Sequence, residues 1–591
     1  MPTGTLPSLY ADLRARRQRY ELLRSQMELE RSSFISHWRD LSEHILPRRS
    51  RFFTGDVNRG DRRSSKIIDS TATLAQRTLR SGMMAGVTSP ARPWFRLTTG
   101  DPDLSENGAV KEWLHAVTQR METVFLRSNL YNSLPTLYGD IGVFGTAAML
   151  VEEDADAVIR TYVFPVGSYM LANSDRFKVE VFIREFQMTV RQLVEKFGGA
   201  ERGAGIDWSR FSTAVHGLHE AGQMEAWIDV CHAIAPNPEF DPERLEAKYK
   251  RFHSCYFERG GSGTRTGNFA LDGFEQDRFL SESGYDLFPV LCPRWETAGG
   301  DVYGTTCPGM DALGDIRQLQ TGERRGAQAI EKMVNPPMVG PSELRTSRAS
   351  LLPGDITYLN EREGMKGFRP AHEVDPHIQE LEGKQAQVRE RIRRAFFEDL
   401  FLMLAISDRR QITAREIEER HEEKLLALGP VLEQLNQDLL DPLIDLVFDV
   451  MLRQGLVPEP PEELQGQRLR VEYISIMAQA QKAAGLAGIE RFTGFVSQLA
   501  AVDPQVLDKI DRDQIVDEYG LITGVPPRVV VPDDQVADIR AQRQKQQAAQ
   551  AAIAAASEAS KAAKNLSETD LSTDSALSRM VRASEAGQLV A

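Results

Sequence analysis

The carboxylates Glu152, Glu153, Asp154 and Asp156 are spaced closely enough to hold a hard cation or to do acid and base work. They read more simply as a solvated turn between two apolar runs. Cys231 beside His232, and His253 near Cys255, offer metal-ligand types, yet no C-x-x-C spacing accompanies them. Buried, small, apolar thiols are the plainer reading. GGSGTRTG at 260–267 is glycine-rich but has no lysine and no helical pattern after it, so it reads as a hairpin turn and not as a phosphate cradle. The sequence contains no G-x-x-x-x-G-K-[ST], no H-E-x-x-H and no G-x-S-x-G, and His421 in RHEEK lacks the second histidine. These residues suggest no catalytic function, no cofactor and no metal.

A different chemistry is open to the arginines. Thr413 followed by Glu416 matches a capping box, so a helix is expected to start there, leaving roughly Leu402 to Ile412 as a loop between two helices. Asp408, Arg409 and Arg410 stand at its polar end. The two arginines could touch phosphates transiently, or pair with Asp408 or Glu416 and stabilise the helix start; both readings stand. The arginine-rich segment 48–63 (RRSRFFTGDVNRGDRR) has the same two readings, phosphate contact or a solvated loop.

The composition bounds what such contacts can achieve. With 71 Lys and Arg against 85 Asp and Glu, a net charge of −14, the chain is not one that coats nucleic acid by neutralising phosphates. A hydrophobic fraction of 41% and 591 residues suit a globular protein of roughly four domains at about 150 residues each. Four cysteines are too few for a disulfide framework, and a reducing compartment is expected. The longest apolar run, Leu400 to Ile406, is far short of a membrane span, and the N-terminus lacks the apolar core of a secretory signal.

Periodicity places these residues on elements. Leu13, Tyr20, Leu23, Met27, Phe34, Trp38, Leu41 and Ile45 draw one stripe of a long helix ended by Pro47, with Arg14, Arg16, Arg17, Arg19, Arg24 and Arg31 expected on its solvated face. Helical spacing returns at 67–90 and 108–130. From Leu137 to Glu195, and again over 224–300, short apolar runs between turn signals predict strands. A helix over 310–333 stops at Asn335-Pro336-Pro337, and a helix through VRERIRRAFFEDL follows a Gly/Pro-rich stretch, so the insert between them is bracketed by two helices that can lie antiparallel. The next helix bends at Pro430 and Pro442. The tail holds ten alanines in the sixteen residues 548–563, a segment of high helix propensity with little to bury.

Six stretches in order, LAQRTLRSGMMAGVTSPARPWFRLTTGD (74–101), DIGVFGTAAMLVEED (140–154), FPVLCPRWETAGGDVYGTTCPGMDALGDI (288–316), EKMVNPPMV (331–339), FFEDLFLMLAISDRRQITAREIEER (396–420) and VEYISIMAQAQKAA (471–484), resemble the portal proteins, or head-to-tail connectors, of short-tailed double-stranded DNA bacteriophages. The resemblance covers most of residues 10–545. It implies an α+β, helix-rich subunit of a ring, usually of twelve copies, at one capsid vertex, through which a separate terminase drives double-stranded DNA. It further implies a wing (1–303 and 413–470), stem helices (304–335 and 376–401), a clip (336–375), a tunnel loop (402–412) and a crown (471–545); the alanine-rich tail (546–591) could extend the crown as an inner helical barrel or be disordered. On that plan Asp408, Arg409 and Arg410 face the DNA channel, and Arg345, Arg348, Arg362 and Lys366 of the clip could dock the terminase large subunit or tail adaptor proteins, or simply form a solvated loop. Major capsid and scaffolding proteins are further implied partners, with the virion and, during assembly, the host cytoplasm as locations and no membrane. An internal scaffolding protein of the phage head is the alternative.

Overall fold

The computed structural model describes residues 6–339, 369–370, 378–407, 428–567 and 579, with breaks at 57–59, 102–103, 105–106, 200–204, 260–278, 465–468, 475–488, 490, 501–502, 524–528 and 532. Contacts divide the chain into two units, one of Met1–Arg96, Val117–Pro458 and Val471–Gly485, the other of Leu97–Ala116, Glu459–Arg470 and Leu486–Ala591. Helix and sheet are mixed in the order α1 (Leu6–His44), α2 (Thr71–Val87), β1 (Phe95–Thr99), α3 (Gly108–Arg127), α4 (Leu130–Phe144), β2 (Ala148–Asp154), β3 (Val158–Phe164), β4 (Tyr169–Asn173), β5 (Val179–Thr189), α5 (Val190–Phe197) and α6 (Thr213–Glu220). There follow β6 (Trp227–Pro236), β7 (Phe252–Glu258), β8 (Ser281–Tyr285), β9 (Val290–Leu291), α7 (Pro308–Val334), β10 (Met338–Val339), β11 (Arg369–Pro370), α8 (Ile378–Ala395), α9 (Glu398–Ser407), α10 (Asp441–Arg453), β12 (Leu469–Tyr473), α11 (Arg512–Thr523) and α12 (Asp533–Ser567).

In the first unit an antiparallel sheet runs β4-β5-β6-β7-β8, and a smaller one runs β3-β2-β9. The register Arg184↔His232 and His232↔Tyr256 sends alternate side chains to opposite faces. One face packs on α1 through Tyr20 and Met27, against Met170, Ile183, Cys231, Ala233, Cys255 and Phe257. The other face carries α5 and α6 on Val230, Tyr256 and Leu280. Thr189 opens α5 with a capping box completed by Gln192.

Three expectations are corrected. The strand pattern foreseen from Leu137 begins later, because residues 130–144 are helix α4. Its Gly139, Gly142 and Pro135 imitate turn signals, yet the two glycines serve packing: a Cβ on Gly139 would lie 2.5 Å from Gln76 Nε2, and one on Gly142 2.3 Å from Leu79 Cδ2, so α2 lies directly on α4. The arginines of α1 are not uniformly solvated. Arg17 and Arg31 are buried, donating respectively to the carbonyl of Glu258 at 2.7 Å and to that of Gly167 at 2.8 Å. Arg24 is held by Glu21, Glu28 and Glu185. Finally, the helix expected to run unbroken to 401 stops at Ala395, and residues 402–407, foreseen as loop, are the end of α9.

The long helix before Arg453 is wound as a π turn over Asn436–Leu440. In the second unit, Asp513 and Arg540 form a two-point ion pair at 2.6 and 2.7 Å, joining α11 to α12.

Candidate functional site: the helix pair around the insert

The Gly/Pro-rich insert leaves the fold between α7 and α8, so its placement depends on how those helices are rooted. Gly304 and Gly309 press the root of α7 onto the end of α4. A Cβ at Gly304 would lie 2.1 Å from the carbonyl oxygen of Gly145, and one at Gly309 2.6 Å from that of Val143. Gly145 itself is left-handed (φ 74°), the conformation that closes a helix at little cost when no Cβ is present. Thr146 Oγ1 accepts from the Gly304 amide at 2.7 Å, and the Cys307 thiol donates to the Val143 carbonyl at 3.2 Å.

From that root, Ala312, Leu313, Ile316, Leu319 and Gln320 of α7 are buried; beyond Gln320 none of its side chains is. Gln320 fixes the last anchored turn by accepting from the amides of Ile68 (2.6 Å) and Asp69 (2.9 Å) and donating to the carbonyl of Asp69 (2.8 Å). Arg389 of α8 reaches Asp69 at 2.8 Å and also pairs with Glu323. Arg391 pairs with Asp315 at 2.6 Å. These pairs, with Gly326 facing Leu381, set α7 and α8 antiparallel. Hydrogen bonding from Arg391 holds the Asp315 carboxyl below its ordinary range. Burial pushes Asp69 up, but hydrogen bonds from Thr71 and Arg389 outweigh it and leave that carboxyl lowered as well. The two helices carry nine basic and seven acidic residues, a slightly positive element in an acidic chain.

At their far end β10 and β11 pair antiparallel, Met338 with Pro370 and Val339 with Arg369, so the insert 340–368 begins and ends on neighbouring strands. The other end of α8 turns sharply. Phe397 takes a positive φ of 54°, rare for a bulky residue, between α8 and α9. Buried Phe396 and Leu400 flank it, and Phe401 fills the space over Gly82 of α2, where a Cβ would meet its ring at 2.1 Å.

Arg345, Arg348, Arg362 and Lys366, and likewise Asp408, Arg409, Arg410 and the Thr413–Glu416 capping box, lie outside the described residues. The structure brings the two ends of the first group's segment together and delivers the second group's segment from the end of α9.

The other chemistry-bearing residues are in structural roles. All four cysteines are free and buried. Burial lowers His232 well below its ordinary pKa; its ring stacks on Tyr256 at 3.8 Å, and Nε2 meets Ser254 Oγ at 3.0 Å. His253 Nδ1 meets the Tyr20 hydroxyl at 2.7 Å. Asp154 closes the β2–β3 turn, accepting from the amides of Asp156 and Ala157 at 2.9 Å and from Arg160 at 2.8 Å. Glu153 accepts from Arg453 and Gln454. Among the described residues no group of three or more His, Cys, Asp or Glu is placed to hold a metal ion, and no helix is long and apolar enough to cross a membrane.

Sequence reasoning missed Arg294. Its guanidinium grips Asp438 of the π turn at 3.0 and 3.2 Å and also donates to the carbonyls of Asp301 and Phe177. A pair separated by 144 residues leaves no local signal.

The chain's sequence has counterparts among known proteins. The chain belongs to the family described as bacteriophage head to tail connecting protein, whose family model matches residues 17–531. It is 49% identical over 564 residues to the portal protein of Salmonella phage epsilon15, covering 95% of this chain and 98% of that protein. A probable portal protein of Bordetella phage BPP-1 is 43% identical over 558 residues, covering 94% of this chain and 96% of its own length. The head-to-tail connecting role is therefore the role of this chain, a structural one, and the internal scaffolding alternative is not favoured.

Proposed function

We propose that copies of this chain close into a ring, of twelve as the family resemblance implies, at one vertex of the capsid, and that double-stranded DNA enters and leaves through its channel. The observation that carries the reading is near full-length similarity to two phage proteins named as portals, joined to a helix pair rooted rigidly in the fold and open beyond Gln320. In this reading α7 and α8 are the stem, 340–368 the clip, the segment after Ser407 the tunnel loop, and α12 the start of an inner tube. The net charge of −14 keeps the duplex off the wall, since phosphate contacts are strong and salt-dependent and many of them would arrest its movement. Arg409 and Arg410, beside Asp408, make brief phosphate contacts, while Arg345, Arg348, Arg362 and Lys366 dock a terminase large subunit during filling and tail adaptor proteins afterwards. Capsid and scaffolding proteins hold the ring in the shell, in the virion and earlier in the host cytoplasm. The ring itself hydrolyses no nucleotide.

Negative-stain imaging and native mass spectrometry of the purified chain test the reading: annular particles with a central hole support it, and monomers or filaments under all conditions sink it. Replacing Arg409 and Arg410 by alanine is expected to leave rings intact and to lower DNA packaging or retention. Unchanged packaging removes both from the channel wall.

A further inference from the structure

The start of the segment after α1 is tied to the sheet region. Ser50 bridges Val166, the Arg51 amide donates to the Val166 carbonyl at 2.9 Å, and Ser50 Oγ lies 2.6 Å from Ser42 Oγ. The approach is so close that a Cβ on Gly167 (φ 90°) would stand 2.4 Å from the Arg51 carbonyl oxygen. Arg49 is tied to the buried Asp140 at 2.7 Å and Arg63 to Asp56. What this rigid loop presents is basic and aromatic. Phe53 is 70% exposed, the Arg39 guanidinium lies 5.3 and 5.5 Å from the Phe52 and Phe53 ring centroids, and the exposed Arg51 and Arg62 have no carboxylate partner among the described residues.

The same unit carries a complementary face. Glu433 and Asp445 are exposed, and Asp441 stands one helical turn from Asp445, a like-charged spacing that costs a helix a few tenths of a kcal/mol. Asp441 accepts from the Tyr473 hydroxyl. Partial desolvation raises both aspartate carboxyls, although Lys178, which pairs with neither among the described residues, draws them down.

We propose that the patch formed by Arg39, Arg51 and Phe53 of one protomer, with Arg62 further along the same segment, docks on the Glu433, Asp441 and Asp445 face of a second copy, a head-to-tail contact between ring neighbours. The inference rests on the ring reading above. A contact of two different patches on identical chains is the kind that closes into a ring. An exposed phenylalanine beside arginines matches the aromatic and arginine enrichment of protein interfaces, and the phenyl ring, unlike the arginines, adds nothing to a duplex phosphate contact. The preformed loop limits the ordering entropy lost on docking.

Charge reversal on each side tests it, in the full chain, by native mass spectrometry and negative stain at low and moderate salt. Arg51→Glu with Arg62→Glu, or Glu433→Arg with Asp445→Arg, is expected to weaken each contact by roughly tenfold or more, most at low salt, and to deplete rings. The four-residue combination restores them. Phe53→Ser weakens assembly at both salts. Far-UV circular dichroism of each variant confirms that it folds. Wild-type assembly by either reversed pair, or no rescue by the combination, overturns the contact. So does normal assembly with lower retention of linear duplex DNA, which would make the patch a phosphate surface. A wild-type chain that forms no annular particle sinks the ring reading and this contact with it, whereas rings from the reversed chains sink this contact alone.

Discussion

Helices α1 and α12 are the two longest in the molecule as described, 39 and 35 residues, and both are rich in good helix formers, yet they stand in opposite relations to the rest of the chain. In α1 the residues Arg17, Tyr20, Met27, Arg31, Trp38 and Leu41, at steps of three, four and seven, are buried. In α12 every described side chain from Ala537 to Lys561 is exposed. The difference teaches that propensity alone sets how readily a segment coils, while a stripe of large side chains decides what it is fastened to. Trp38 is the sharpest case: it is 1% exposed, donates to the Phe144 carbonyl at 3.1 Å, and lies 5.4 and 5.1 Å from the rings of Phe34 and Tyr303. Trp38→Ala is expected to destabilise the first unit by about 3–5 kcal/mol, read as a shift of the urea midpoint. A loss under about 1 kcal/mol would mean that α1 is as loosely held as α12, and the contrast would vanish.

A smaller effect is expected where α1 uses charge. Arg31 donates to the carbonyls of Gly167 and Tyr169 and is itself buried. Arg31→Met keeps the volume but leaves both carbonyls without that donor, at a cost of about 1–3 kcal/mol in the same measurement. The sequence pattern gave no hint of this role. Amphipathic periodicity identifies Tyr20 and Trp38 because apolar side chains repeat with the helix, but an arginine in the stripe looks like an arginine on the rim until the strand ends it caps are known. The same limit hides Arg294 with Asp438, and it turns the glycines of α4 into apparent turns, since close helix packing and chain reversal both call for glycine. What was legible was local pattern: α1, the short apolar runs of β2, β3 and β5, and the helices α7 and α8 on either side of the insert. Arg409 and Arg410 were legible only as charge in a predicted loop.

Acid should separate the two helices further. Burial lowers His232, under the sheet that carries α1, well below its ordinary value. The unfolded chain therefore binds that proton first: the stabilisation is present above pH about 6.5 and is lost as pH falls from there through the folded pKa. Arg184 and Lys196, which lie near His232, further disfavour its charged form. His232→Phe is expected to shift the acid unfolding midpoint of the first unit to lower pH, at the cost of the Ser254 hydrogen bond at higher pH. An unmoved midpoint would place the acid-sensitive group elsewhere.

The smallest effect is expected in α12, and its sign carries the comparison. Ile553 is 70% exposed in a run of alanines, so in an isolated protomer Ile553→Ala removes no contact and replaces a β-branched residue by the best helix former. The helix should gain a few tenths of a kcal/mol, visible as a slight rise in far-UV ellipticity. In the assembled particle the outcome depends on whether neighbouring copies bring their own alanine faces together. If they do, the same substitution lowers the melting temperature of the assembly while leaving the protomer unharmed, and the fastening that α1 receives from its own chain is received by α12 from other copies. If protomer and assembly respond alike, α12 stays as unfastened in the assembly as it is in the single chain, and the proposed inner tube is not built from it.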